Sequence, residues 1–122
     1  MRGLILSAIA LAACSAAHAQ PAKPARVCFS TRQIDRSVVV DDSTINFRVG
    51  RQVYQMKLAE ACPRLKDNIG GYIMSLKGSD QICEPLDVQI SVNDNIGGVC
   101  NAKSLRRLTP GEISALPKKD NP

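Results

Sequence analysis

Apolar and polar residues alternate with a period of two along most of the middle of this chain. Ile45, Phe47 and Val49 alternate with Thr44, Asn46 and Arg48, and Tyr54, Met56 and Leu58 alternate with Val53, Gln55 and Lys57. Gly50-Arg51 separates the two runs, so they read as a hairpin turning at that dipeptide. Leu86, Val88, Ile90 and Val92 form the cleanest strand pattern, alternating with Asp87, Gln89 and Ser91, and Tyr72, Met74 and Leu76 form a fourth set. Short strands around Val27–Phe29 and Val99–Ala102 bring the number to about six, with Val38–Val40 leading into the first hairpin. One helix is signalled. Thr109-Pro110-Gly111-Glu112 is a capping box with proline at the first helical position, and the helix runs to about Leu116 before Pro117 stops it. Ile113 and Leu116 are placed to cover an open end of a sheet. The pattern predicts a mainly β domain, a small antiparallel barrel or sandwich of about six strands with one short C-terminal helix.

The two ends follow other rules. Met1-Arg2-Gly3 carries one positive charge, Leu4 to Ala13 is an unbroken small and apolar run, and Ala17-His18-Ala19 precedes Gln20. That is a secretory signal peptide over residues 1–19, with cleavage between Ala19 and Gln20. An apolar run this short cannot serve as a permanent membrane anchor. A second processing pattern overlaps it. Leu11-Ala12-Ala13-Cys14 fits a bacterial lipobox, which would end the leader at residue 13 and attach a lipid to Cys14; Ser15 after it would not hold the product at the inner membrane. Residues 20–26 are a Pro/Ala tether, residues 27–116 the folded domain, and residues 117–122 are expected to be a disordered polar tail.

Cleavage after Ala19 leaves 103 of 122 residues, one small domain with a modest core. It also leaves four cysteines, Cys28, Cys62, Cys83 and Cys100, and no histidine or tryptophan. In an oxidising compartment an even count reads as two disulfides, each contributing roughly 2–4 kcal/mol. Of the three pairings, Cys28–Cys100, joining the first and last strands, and Cys62–Cys83, closing the middle, are expected. No Cys-x2-Cys knuckle exists for zinc or for a redox dithiol. With Arg2 removed, fifteen Lys and Arg face eleven Asp and Glu, a net charge of +4. The cations are scattered, so no nucleic-acid stripe is expected.

Asp67-Asn68-Ile69-Gly70-Gly71 recurs as Asp94-Asn95-Ile96-Gly97-Gly98. Both copies carry turn chemistry and lead into a strand, so two similar connections are expected. Asn93, Asp94 and Asn95 gather oxygen ligands, but the spaced ladder and closing glutamate of a calcium loop are missing. No metal and no cofactor is expected. Without histidine the usual neutral-pH base is absent, and with it Ser-His and Cys-His nucleophiles. A carboxylate mechanism would need Asp35, Asp42 and Asp87 to converge; Asp41-Asp42 alone read as a turn, since neighbours on a strand point to opposite faces.

An ordered set of residues carries a resemblance. It comprises Cys28-Phe29, Ile34, Asp41-Asp42-Ser43-Thr44, Val49-Gly50-Arg51, Tyr54, Leu58, Cys62-Pro63-x-Leu65, Ile82-Cys83, Asp87, Cys100 and Leu105-x-x-Leu108-Thr109-Pro110-x-Glu112. Over nearly all of Val27 to Leu116 the chain resembles an uncharacterised family of small exported proteobacterial proteins. That family is known only as a domain of unknown function with four core cysteines and a C-terminal Leu-Thr-x-x-Glu. The resemblance implies compartment and size, and brings no activity, cofactor or catalytic residue. The function expected is a non-enzymatic envelope module that binds another envelope component. It would sit in the periplasm, or at the outer membrane through a lipid on Cys14. The alternatives are a periplasmic inhibitor of a hydrolase such as lysozyme and a carboxylate-dependent enzyme. Lysozyme is cationic, and a +4 partner would be repelled by it.

Overall fold

A computed structural model describes residues 28–92 and 98–122. The strands are β1 (Phe29–Ser30), β2 (Ile34–Asp41), β3 (Thr44–Val49), β4 (Gln52–Leu58), β5 (Tyr72–Leu76), β6 (Gln81–Ile82), β7 (Val88–Val92) and β8 (Val99–Arg107), followed by helix α1 (Pro110–Ala115). Six of them form one antiparallel sheet in the order β2-β3-β4-β8-β7-β5, curled into a half-barrel. The remaining two, β1 and β6, pair with each other.

The expected hairpin forms in the expected register. Val49 faces Gln52 across a two-residue turn, and Gly50 takes φ 58°, the left-handed conformation such a turn demands. Its inward row, Ile45, Phe47, Tyr54, Met56 and Leu58, is buried and joins Ile82, Val88, Ile90 and Val92 in one core. Fully burying each large apolar side chain contributes roughly 1.5–3 kcal/mol. Phe29 on β1 lies over this row, stacked on Tyr54 at 4.7 Å and tilted against Phe47 at 6.4 Å. The helix is capped as its sequence signals: Glu112 N–H donates to Thr109 Oγ1, and Thr109 N–H donates to the Glu112 carboxylate. Ile113 borders a hollow with Leu108, Pro110 and Gln52, at the Gly50-Arg51 end of the sheet.

Three expectations are corrected. First, β7 starts at Val88, not at Leu86. Residues Pro85–Asp87 make a single 3-10 turn and leave Leu86 72% exposed. The Asp87 carboxylate takes the N–H groups of both Cys83 and Glu84 at 2.9 and 2.8 Å, which stabilises this turn against an extended chain.

Second, all four cysteines pair, but as Cys28–Cys83 and Cys62–Cys100 rather than Cys28–Cys100 and Cys62–Cys83. Strand order decides this. Phe29 faces Ile82 in the β1–β6 pair, so the next position outward sets Cys28 beside Cys83. On leaving β4 the chain stays against β8, with Ala59 N–H donating to the Asn101 carbonyl, and this carries Cys62 to Cys100.

Third, residues 117–122 are docked rather than frayed. Asn46, fully buried on the outward face of β3, donates from Nδ2 to the Asp120 carbonyl at 2.9 Å. Arg48 on the same face donates to Asn121 Oδ1 at 2.8 Å and to an oxygen of Pro122. The two polar residues that the alternation assigned to solvent instead bind the tail, and Val53 across from Arg48 is buried with them.

Replacing Asn46 with alanine removes the donor and leaves a buried carbonyl without a partner. We expect Asn46→Ala to destabilise the domain by about 1–3 kcal/mol in denaturant unfolding. Trypsin should then cut at Lys118-Lys119 faster than in the parent, and an unchanged cleavage rate would show that Asn46 does not hold the tail.

Candidate functional site

The half-barrel is not closed among the described residues, and its open seam leaves a recess beside the core. Strand β2 lies at one edge of the sheet and β5 at the other, with no backbone ladder between them. Thr31, Ile34 and Ser37 form one wall, and Gly71, Tyr72, Met74 and Leu76 form the other, around a groove of about 520 Å³. Ser37 is exposed and the other wall residues are partly buried; Ile34, Tyr72, Met74 and Leu76 rest on the core below. Burial pushes the Tyr72 hydroxyl above its ordinary pKa, and the Ser37 side chain across the seam offsets only part of that rise. The groove is therefore apolar at its base, with one neutral hydroxyl pair at one end.

The entrances to the strands explain the repeated pentapeptide in part. Asn68 closes the first copy, with Gly70 N–H donating to its side-chain oxygen at 3.0 Å and its Nδ2 donating to the Gly71 carbonyl at 2.9 Å. Gly71 takes φ 73° and Gly98, the matching residue of the second copy, takes φ 63°. The strands that follow lie on opposite sides of β7, where Tyr72 faces Val92 and Val99 faces Ser91. Two left-handed glycines thus feed two neighbours of the same strand end. Asn93, Asp94 and Asn95, the oxygen cluster of the second copy, lie outside the described residues.

The acidic residues that an enzyme would need are not brought together. Asp35 Oδ2 accepts from Gly50 N–H at 2.8 Å at one end of β2, and Asp42 Oδ1 accepts from Lys66 N–H at 2.9 Å at the other. Asp87 holds the turn before β7. Asp41 serves its own hairpin. Burial raises its pKa, but the Ser43 N–H and hydroxyl, the Thr44 hydroxyl and the Lys66 charge outweigh this and leave it below the ordinary value. In Asp87 the N–H groups of Cys83 and Glu84 hold the carboxyl low, and in Glu112 the Thr109 N–H and the Arg106 guanidinium do the same.

A second feature of the surface adjoins the seam. Ile73 and Val99 lie in register on either side of Ser91 on the outward face of β5, β7 and β8, and are 50% and 61% exposed. Ile69, in the turn leading to β5, is fully exposed. Sequence reasoning did not find the groove, because β2 was read only as Val38–Val40 and its edge position is a property of strand order. The one available signal was Tyr72, an aromatic in a strand of otherwise modest apolar content.

Among the described residues no helix is long and apolar enough to cross a membrane. The two disulfides fit an oxidising, non-cytoplasmic setting. Comparisons with family models, with curated proteins and with solved structures find no match to this chain.

The lowered carboxylates predict a pH response with a definite sign. A folded pKa below the unfolded value contributes stability above the ordinary carboxylate range, near pH 4, and that stability fades as pH falls through the folded pKa. Asp87→Asn should lower the melting temperature at pH 7 and flatten its decline between about pH 4 and pH 2. A melting curve as steep in acid as the parent's would remove Asp87 from this account.

Proposed function

We propose that this chain is a non-enzymatic exported module of the cell envelope, which binds another envelope component through the groove between β2 and β5. The observation that carries the reading is the open seam: a half-barrel with an apolar recess between two strand edges that are unpaired among the described residues. Such an edge is a site of pairing unless something covers or guards it. The distribution of carboxylates supports the non-enzymatic part, since Asp35, Asp42 and Asp87 each hold a different turn. The disulfides and the leader pattern of residues 1–19 support export. The domain works in the periplasm as a free protein from Gln20 onward, or at the outer membrane through a lipid on Cys14.

The test places a photo-crosslinking amino acid at Tyr72 in the groove, or at Lys103 away from it, in the protein expressed in its native envelope. Irradiation should give one discrete adduct from position 72 and none from position 103. Equal labelling from both positions, or none from either, would sink the groove as a binding surface. Intact mass of the same preparation separates an N-terminus at Gln20 from a lipid-bearing Cys14.

A further inference from the structure

The two edges of the seam are not equivalent. Strand β2 is guarded: its register with β3 is broken between Ile34 and Arg36 and again between Val39 and Asp41, and it carries Asp35, Arg36 and Asp41. Such bulges and charges discourage pairing with another strand. Strand β5, Tyr-Ile-Met-Ser-Leu, has no charge, no proline and an unbroken register with β7. Nothing in its sequence protects it.

The direction of its backbone groups follows from one hydrogen bond. Lys77 N–H donates to the Asp87 carbonyl at 2.9 Å, one step beyond the Leu76–Val88 pair. Antiparallel pairs alternate between bonded and non-bonded positions. Ile73 and Ser75 are therefore the residues bonded to β7, and Tyr72, Met74 and Leu76 direct their N–H and C=O groups away from it, into the seam. Those same three residues line the groove with their side chains.

We propose that β5 takes up an extended segment of a partner protein as an added strand, with apolar side chains alternating into the groove and acidic side chains on the outward face. This rests on the groove reading above and names the chemistry of its partner. Charge selects the acidic pattern. Arg36 on β2 and Lys77 just past the end of β5 lie on the outward side of the two strands bounding the seam, and among the described residues neither side chain has a hydrogen-bond or ion-pair partner. The chain's own residues 20–26 fit poorly, since Pro21 and Pro24 lack N–H donors and Lys23 and Arg26 add like charge. A second copy fits poorly too. Five residues of edge fall far short of the roughly 20–30 residues a side of a stable interface, and both partners would be cationic.

The test uses the chain from Gln20 onward with both disulfides intact and a synthetic octapeptide of alternating valine and glutamate. Amide hydrogen exchange is followed by NMR. With peptide at up to about 1 mM, exchange at Tyr72, Met74 and Leu76 should slow at least tenfold, while Ile73 and Ser75, already bonded to β7, stay as they are. The same peptide with lysine for glutamate, or with N-methylated valines that cannot donate, should leave all five unchanged. Met74→Pro removes an edge-directed N–H that β7 does not use, together with a groove side chain, and should abolish the protection at Tyr72 and Leu76, whereas Met74→Ala, which keeps the N–H, should retain it. Absence of protection at the three amides overturns strand addition, and an equal response to the lysine peptide overturns the acidic pattern. Protection that grows with protein concentration without peptide assigns the edge to a second copy, and overturns the proposal as well. A discrete adduct at Tyr72 with no change in those amides leaves the groove reading standing and removes only the added strand.

Discussion

Strand β8 changes partner partway along its length, and the rest of the architecture depends on that exchange. Residues Val99, Cys100 and Asn101 pair with β7, whereas Ala102 to Arg107 pair with β4, with a register irregularity at Lys57-Leu58 opposite the junction. A sheet built on one long staggered strand cannot stay flat; the strands on either side are displaced along its axis and the sheet curls. Curling lets β1 and β6 close the core over Phe47 and Tyr54 from the concave side. It also brings Ser37 and Tyr72 of the two outermost strands to opposite walls of one groove without letting those strands pair. The Cys62–Cys100 disulfide ties the chain leaving β4 to the β7-paired half of β8, so it spans the junction itself.

The same division separates a face covered by protein from one left bare. Along β3 the outward side binds the C-terminal segment through Asn46 and Arg48, and Asn46 is fully buried although the period-two pattern assigns it to solvent. Along β5 and β7 no segment of the described chain lies over the outward side, and Ile73 and Val99 stay half or more exposed. The half of the sheet that is stabilised from both sides lies opposite the half that carries the free β5 edge. Stability and an unsatisfied edge thus occupy different strands, and a partner strand at β5 would leave the covered half untouched.

Local signals in the sequence were sound at three places, although the equally local Asp87 turn over Cys83 and Glu84 was hidden under an alternating pattern that starts at Leu86. The Gly50-Arg51 hairpin, the Thr109–Glu112 capping box and the strand at Tyr72–Leu76 each depend on residues within a few positions of one another. Non-local facts were not legible. The pairing of the cysteines needed the β1–β6 contact, two strands of two residues each whose patterns are too short to read. The extent of β8 was hidden because the apolar side switches at the irregularity around Lys103, with Cys100 and Ala102 inward before it and Leu105 after it. Its bulges broke the alternation of β2 in the same way. The groove combines both difficulties, as it lies between strands that are neighbours only through the curl.

Carboxylates and backbone amides divide the remaining chemistry between them. Asp35, Asp42 and Asp87 each accept N–H groups from turns, and Asp41, Asp87 and Glu112 have pKa values held down by such bonds. A carboxylate stabilised in its charged form by fixed donors is a weaker base than a free one, so these groups are suited to fixing loops more than to moving protons. The turns they fix lie before β7, between β2 and β3, and at Gly50 between β3 and β4. Among the described residues, polar capacity that remains unspent then resides in main-chain N–H and C=O groups at Tyr72, Met74 and Leu76, over an apolar recess and between the side chains of Arg36 and Lys77. Groups of that kind recognise another backbone before they recognise a small molecule, which is why strand addition, more than pocket chemistry, follows from how this sheet curls.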